Sequence, residues 1–192
     1  MAVLTTQRRE LLDALSNEFL HNYRRGRTFL AVDGLDGAGQ ARFADDLAER
    51  MGRHDHAVFR ASIDDFQRPR AERGDRYDTA FDYDLFRRVL VEPFRLAGST
   101  GFTTAAFDAR RDVPLESEWR TGPQDATLIV DGVFLNRPEL RGIWNSSIWL
   151  DGGEQGDGQS KYHAHFDPRA LAAVIVDDTD RDHPSRVYLD RC

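Results

Sequence analysis

The run Arg27-Thr28-Phe29-Leu30-Ala31-Val32-Asp33 is short, apolar and β-branched enough to be a buried strand, and it opens directly into Gly34-Leu35-Asp36-Gly37-Ala38-Gly39. From Gln40 to Arg53 the apolar residues Phe43, Leu47 and Met51 fall on one helical face. A strand that turns through glycines into a helix is suited to cradling an anion. Without Cβ atoms the turn can aim successive backbone N–H groups inward, and the N-terminus of the following helix favours negative charge. Gly34-x-x-x-x-Gly39 meets that requirement. A complete phosphate loop continues with Lys and then Ser or Thr, the lysine reaching the outer phosphates and the hydroxyl holding magnesium. Here those positions are Gln40 and Ala41.

Two other readings of the turn stand beside this one. A dinucleotide fingerprint places a small third residue where helix packs on strand, and Gly37-Ala38-Gly39-Gln40-Ala41-Arg42 has Arg42 there. A glycine turn with no ligand needs none of these side chains.

Along the rest of the chain, Leu11, Leu12, Leu15, Phe19 and Leu20 predict an amphipathic helix over residues 4–20. Strands are predicted at 57–62, 103–107, 128–132, 147–151 and 173–177, and helices at 84–97 and 138–142. Several of the apolar strands end in Asp. Strands alternating with helices mean an open parallel sheet of about five strands with helices on both faces. Residues 152–160, rich in glycine, read as a loop, and at 192 residues the chain is expected to be one domain.

Composition narrows the partners. A formal charge of −7 argues against broad binding to nucleic acid or an anionic membrane, and Glu72, Asp75 and Asp78 interleave the Arg-rich stretch 68–76. No apolar run is long enough for a transmembrane helix, and residues 1–10 lack the apolar core of a secretory signal, so a cytoplasmic location is expected. The sole cysteine, Cys192, excludes an internal disulfide, and the sole lysine is Lys161. His163, His165 and Asp167 lack further ligands at fixed spacing and read as solvated loop residues.

Six segments together resemble the uridine kinases and uridine-kinase-like P-loop proteins. They are the glycine loop at 34–39, Ser62-Ile63-Asp64-Asp65-Phe66, Phe81-Asp82-Tyr83-Asp84, Phe107-Asp108, Ile129-Val130-Asp131-Gly132-Val133-Phe134-Leu135 and Val176-Asp177-Asp178-Thr179-Asp180. The resemblance runs from about residue 27 to 184. It implies a three-layer P-loop NTPase-like fold and ATP- and Mg2+-dependent transfer of phosphate to a hydroxyl of a nucleoside or similar small molecule. By the same resemblance, Asp64 is the general base, Asp131 helps organise magnesium, and Gly34, Asp36, Gly37, Ala38, Gly39, Gln40, Ala41 and Arg42 form the phosphate site. Asp65, Phe66, Arg68, Tyr83, Phe107, Asp108 and Arg111 would line the acceptor pocket.

The departures matter as much. Gln40 and Ala41 replace the lysine and the hydroxyl, Gln67 and Ala109 stand where relatives commonly carry His, and the arginine-bearing lid looks shortened to a loop over residues 152–166. A neutral amide in place of a cation forfeits a charge-assisted hydrogen bond worth about 1.5–3 kcal/mol. Each lost transition-state donor costs about 10²–10³ in rate. The expectation is a pseudokinase-like protein that keeps an anion-binding loop and a small-molecule pocket but has impaired or lost transfer, its ligand a nucleotide or a phosphorylated metabolite. The alternative is an active kinase whose missing cation comes from Arg42, Arg68 or Arg111. A structural or interaction role is the third possibility, and homo-oligomer formation is left open.

Overall fold

The structure, a computed structural model, describes residues 4–116, 118–156 and 158–188; Cys192, Asp157 and the side chain of His165 lie outside the described residues. The chain opens with α1 (Thr6–Tyr23), β1 (Arg27–Gly34), α2 (Gln40–Gly52) and β2 (Ala57–Ser62). Short 3-10 turns lead to α3 (Arg76–Thr79) and α4 (Tyr83–Phe86), which passes through a π-helical stretch, Arg87–Val91, into α5 (Glu92–Leu96). Then come β3 (Phe107–Asp108), β4 (Val113–Pro114), β5 (Ala126–Asp131) and β6 (Ser146–Asp151). The described chain finishes with α6 (Gln159–His165), α7 (Pro168–Leu171), β7 (Val174–Asp177) and β8 (Ser185–Val187).

β1 explains the architecture. Phe29 and Ala31 join the core on one face of the sheet, while Leu30 and Val32 join the core on the other. A strand covered on both faces has no solvent-facing position, which is why Phe29-Leu30-Ala31-Val32 reads as an uninterrupted apolar run. The main sheet has the order β2-β5-β1-β6-β7-β8, with β8 alone antiparallel to its neighbour. α1 and α2 bury Leu12, Leu15, Phe19, Phe43, Leu47 and Met51 on one face, and Phe86, Leu90 and Phe94 fill the other. The result is the three-layer α/β arrangement expected from the sequence.

Order in the sheet places the glycine turn. From β1 the chain crosses to β2 on one side, whereas β6 lies on the other, so the C-terminal end of β1 is a topological switch point, where ligands of open α/β sheets bind. α1 is tied to this end by Arg8, fully buried, whose Nε donates to Asp46 at 2.9 Å and Nη1 to Asp178 at 2.6 Å.

Four local expectations change. The sheet gains β8 as a sixth strand, too short for its alternation to register. The strand expected at 103–107 is reduced to Phe107–Asp108, paired with β4 in a separate two-stranded ribbon. Residues 138–142 form a run of turns, with Leu140 N and Arg141 N both bonded to Arg137 O and Ile143 N to Leu140 O, rather than a regular helix. Within residues 152–166, read as a loop, Gly158 at φ +82° starts α6 because the fully buried Tyr162 anchors it to the core.

Candidate functional site: a glycine loop with its cation replaced

The turn after β1 is compact. Ala38 N donates to Leu35 O at 3.1 Å, and Gly37 and Gly39 take φ of +76° and +90°, a left-handed backbone that strains any other residue. Gly39 caps α2 without a side-chain partner, leaving the helix N-terminus open to an anion. Gln40 is buried. Its Nε2 donates to Leu35 O at 2.8 Å, so the amide closes the loop on itself where a lysine would present an ammonium. Ala41 follows, exposed and without a hydroxyl.

The outer side of the loop is covered by the segment after β6. Glu154 N donates to Asp36 O at 2.8 Å, and Asp36 also pairs with Arg76 of α3 at 2.5 Å. The glycines there serve close approach: a Cβ on Gly153 would lie 2.7 Å from Ala38 N. A second cation at the loop, besides Arg76, is Arg181, whose Nη2 donates to Gly37 O at 3.4 Å and packs beside Gly39. Sequence reasoning missed it, because the loop after β7 reaches the turn only through the sheet order. Arg42 is exposed on α2, Arg111 is exposed beside β3, and Arg68 lines a separate cavity.

Asp131 ends β5 beneath this turn. The β2–β5 register sets Ser62 opposite Asp131, and Arg60, on the same side of β2 as Ser62, reaches over. Arg60 Nη2 lies 2.5 Å from Asp131 Oδ1, and Ser62 Oγ donates to Oδ2 at 3.2 Å. Burial raises the Asp131 pKa, and Arg60 opposes that rise. Little in this donor set serves magnesium, which is held by one or two carboxylates together with phosphate oxygens: position 41 offers no hydroxyl and both oxygens of Asp131 already have protein partners. Among the described residues no cluster of three or more His, Cys, Asp or Glu could hold a metal ion. The positive-φ glycines and the N-terminus of α2, which has no side-chain cap, are the features of an anion cradle.

The neighbouring acids form a graded set. Asp33, at the root of the loop, is fully buried; desolvation pushes it up to about 6 against hydrogen bonds from Tyr162, Asn136 and Gly34. Asp65 is also pushed up to about 6, by burial and by Asp64, Asp131 and Asp108 around it. Asp64 accepts a hydrogen bond from Gln67 Nε2 at 2.8 Å.

A cavity of about 380 Å³ opens beside α4, walled in part by Arg68, Phe81, Tyr83, Asp84, Arg87 and Arg137. Tyr83 and Arg68 both line this cavity. The remaining expected pocket residues lie elsewhere: Phe66 is fully buried against Phe86, Phe107 is buried, and Asp108 accepts from the N–H groups of Arg110 and Arg111 to close a turn. Arg137, which sequence reasoning missed, is buried between the rings of Tyr77 and Tyr83, 4.5 and 4.6 Å from their centres, and donates to Tyr83 Oη at 3.0 Å. Burial pushes the Tyr83 hydroxyl up to about 12.

Sheet order, the loop at its switch point and the layered helices define a three-layer α/β fold with a glycine-rich strand-to-helix turn. The chain is similar to a protein assigned as a possible uridine kinase from Bacillus stearothermophilus, with 22% identity and a TM-score of 0.74 over 88% of this chain and 98% of that one. It is also similar to a protein assigned as a fructose transport system kinase from Silicibacter sp. TM1040, with 22% identity and a TM-score of 0.60 over 74% and 75% of the two chains. At this identity the likeness is one of fold. No protein-family model and no curated protein matches the chain. No helix among the described residues is long and apolar enough to cross a membrane.

Proposed function

We propose that this chain is a uridine-kinase-like P-loop protein that binds a phosphorylated small molecule, a nucleotide or a phosphometabolite, with ATP-dependent phosphoryl transfer impaired or lost. One observation carries the proposal: the Gln40 amide is spent on Leu35 O, a neutral group in the lysine's place. The backbone amides and the dipole of α2 still favour a phosphate in its ground state. The charges that stabilise a transferring phosphoryl group are reduced, and that difference separates binding from catalysis. Arg68, Tyr83 and Arg137 then serve a second small molecule such as a nucleoside, in a cytoplasmic protein with no nucleic-acid or membrane partner.

The test is thermal shift with ADP, ATP and inorganic phosphate, run beside an ADP-release assay with a panel of nucleosides. A shift without release supports the proposal. A second reading, a working kinase with a substituted cation, is favoured by Arg181 beside Gly37 and Gly39. Substrate-dependent ADP release that disappears in Arg181→Ala would establish it.

A further inference from the structure

Arg60 occupies an unusual position for a strand residue. Its guanidinium donates to five oxygens on α2, β2 and β5: Asp131 Oδ1 at 2.5 Å, Asp45 Oδ1 at 2.9 Å, Ile129 O at 3.0 Å, Ala41 O at 3.3 Å and Ala61 O at 3.4 Å. The Arg60 side chain is 22% exposed and that of Asp131 is 5% exposed. A nearly buried carboxylate beneath a phosphate loop repels the ligand unless a positive charge compensates it. In this chain the compensating charge is part of the polypeptide, and it touches both the acid and the backbone of the residue that lacks the hydroxyl.

We propose that Arg60 does the electrostatic work of a divalent cation at Asp131, so that the glycine loop takes its phosphate ligand without metal. The proposal rests on the phosphate-binding reading of the loop and adds to it the form of the ligand: the free phosphate or polyphosphate anion rather than its magnesium complex. Arg60 is a positioning and charge-compensating residue. It acts through Asp131.

Isothermal titration of the wild-type protein with inorganic pyrophosphate, and separately with ADP, in EDTA and in excess magnesium, tests this directly. Equal or tighter binding in EDTA is expected, because magnesium only sequesters the anion. Arg60→Met is expected to weaken binding in EDTA by roughly ten-fold, the order of one partly screened charge near the site. The paired variant Arg60→Met/Asp131→Asn, which leaves no buried charge uncompensated, is expected to recover it. Circular dichroism confirms that each variant is folded, and the wild-type comparison stands if Arg60→Met does not fold. Binding that appears only with magnesium overturns the proposal and leaves the loop reading intact. Absence of binding in both buffers overturns the loop reading and the proposal together.

Discussion

Tyr162 Oη donates to Asp33 Oδ2 at 2.6 Å, joining α6 to the root of the glycine loop across 129 positions of sequence. Both residues are fully buried, and the same carboxylate accepts from Asn136 N at 2.9 Å, Asn136 Nδ2 at 3.1 Å and Gly34 N at 2.9 Å. The segment after β6 is therefore held against the loop from beneath by this network as well as from outside by the Asp36–Glu154 contact.

Asp33 gives stability a defined pH dependence. Its folded-state pKa of about 6 lies above the ordinary carboxylate value, so the folded state binds the proton more tightly than the unfolded state. The contribution is complete below the ordinary carboxylate range and is lost as pH rises through about 6. Asp65 acts in the same direction. Two units correspond to a loss on the order of 3 kcal/mol for Asp33. Urea unfolding across this window is expected to show falling stability with rising pH, and Asp33→Asn is expected to flatten the slope. An unchanged slope would remove Asp33 from the explanation.

Tyr162→Phe deletes one donor to Asp33 and one acceptor for Asn136 N while keeping the ring against Tyr77 and Phe134. The expected loss at neutral pH is about 1.5–3 kcal/mol, the usual worth of a hydrogen bond to a charged group, since Asp33 and Asn136 N keep their other partners. Chemical denaturation measures it.

Gly153 and Gly142 make a matched pair. Gly153 has φ +87° and no room for a Cβ, whereas nothing lies within 4 Å of a Cβ on Gly142. Gly153→Ala is expected to cost about 1–3 kcal/mol through backbone strain and collision with the loop. Gly142→Ala should lie within about 0.5 kcal/mol of wild type, as surface substitutions do. Melting temperatures of the two variants provide the comparison.

Gln40→Lys returns a cation to the loop. A charge-assisted bond adds about 1.5–3 kcal/mol, so pyrophosphate should bind roughly ten-fold to over a hundred-fold more tightly by calorimetry. The substitution alone should not restore transfer, because Ala41 remains without a hydroxyl and Asp131 remains paired with Arg60.

The strand–loop–helix unit was legible because its signals are local: an apolar run covered on both faces, glycines at positive φ, and Phe43, Leu47 and Met51 on one helical face. α1 was legible for the same reason. The cations at the site were not, since Arg60 meets Asp131 only through the β2–β5 register and Arg181 meets Gly37 only through the placement of β7. Phe66 shows the opposite difficulty. An aromatic beside two acids reads equally well as a pocket wall or a core residue, and the long-range contact with Phe86 decides for the core.

ADP release from ATP by the purified protein, measured over a nucleoside panel at nucleotide concentrations that calorimetry shows to be saturating, tests most directly whether this loop retains its anion but not the chemistry. The expected result is a bound nucleotide with no nucleoside-dependent turnover above background. Nucleoside-dependent release at roughly 1–100 per second, the range of working kinases, would contradict it.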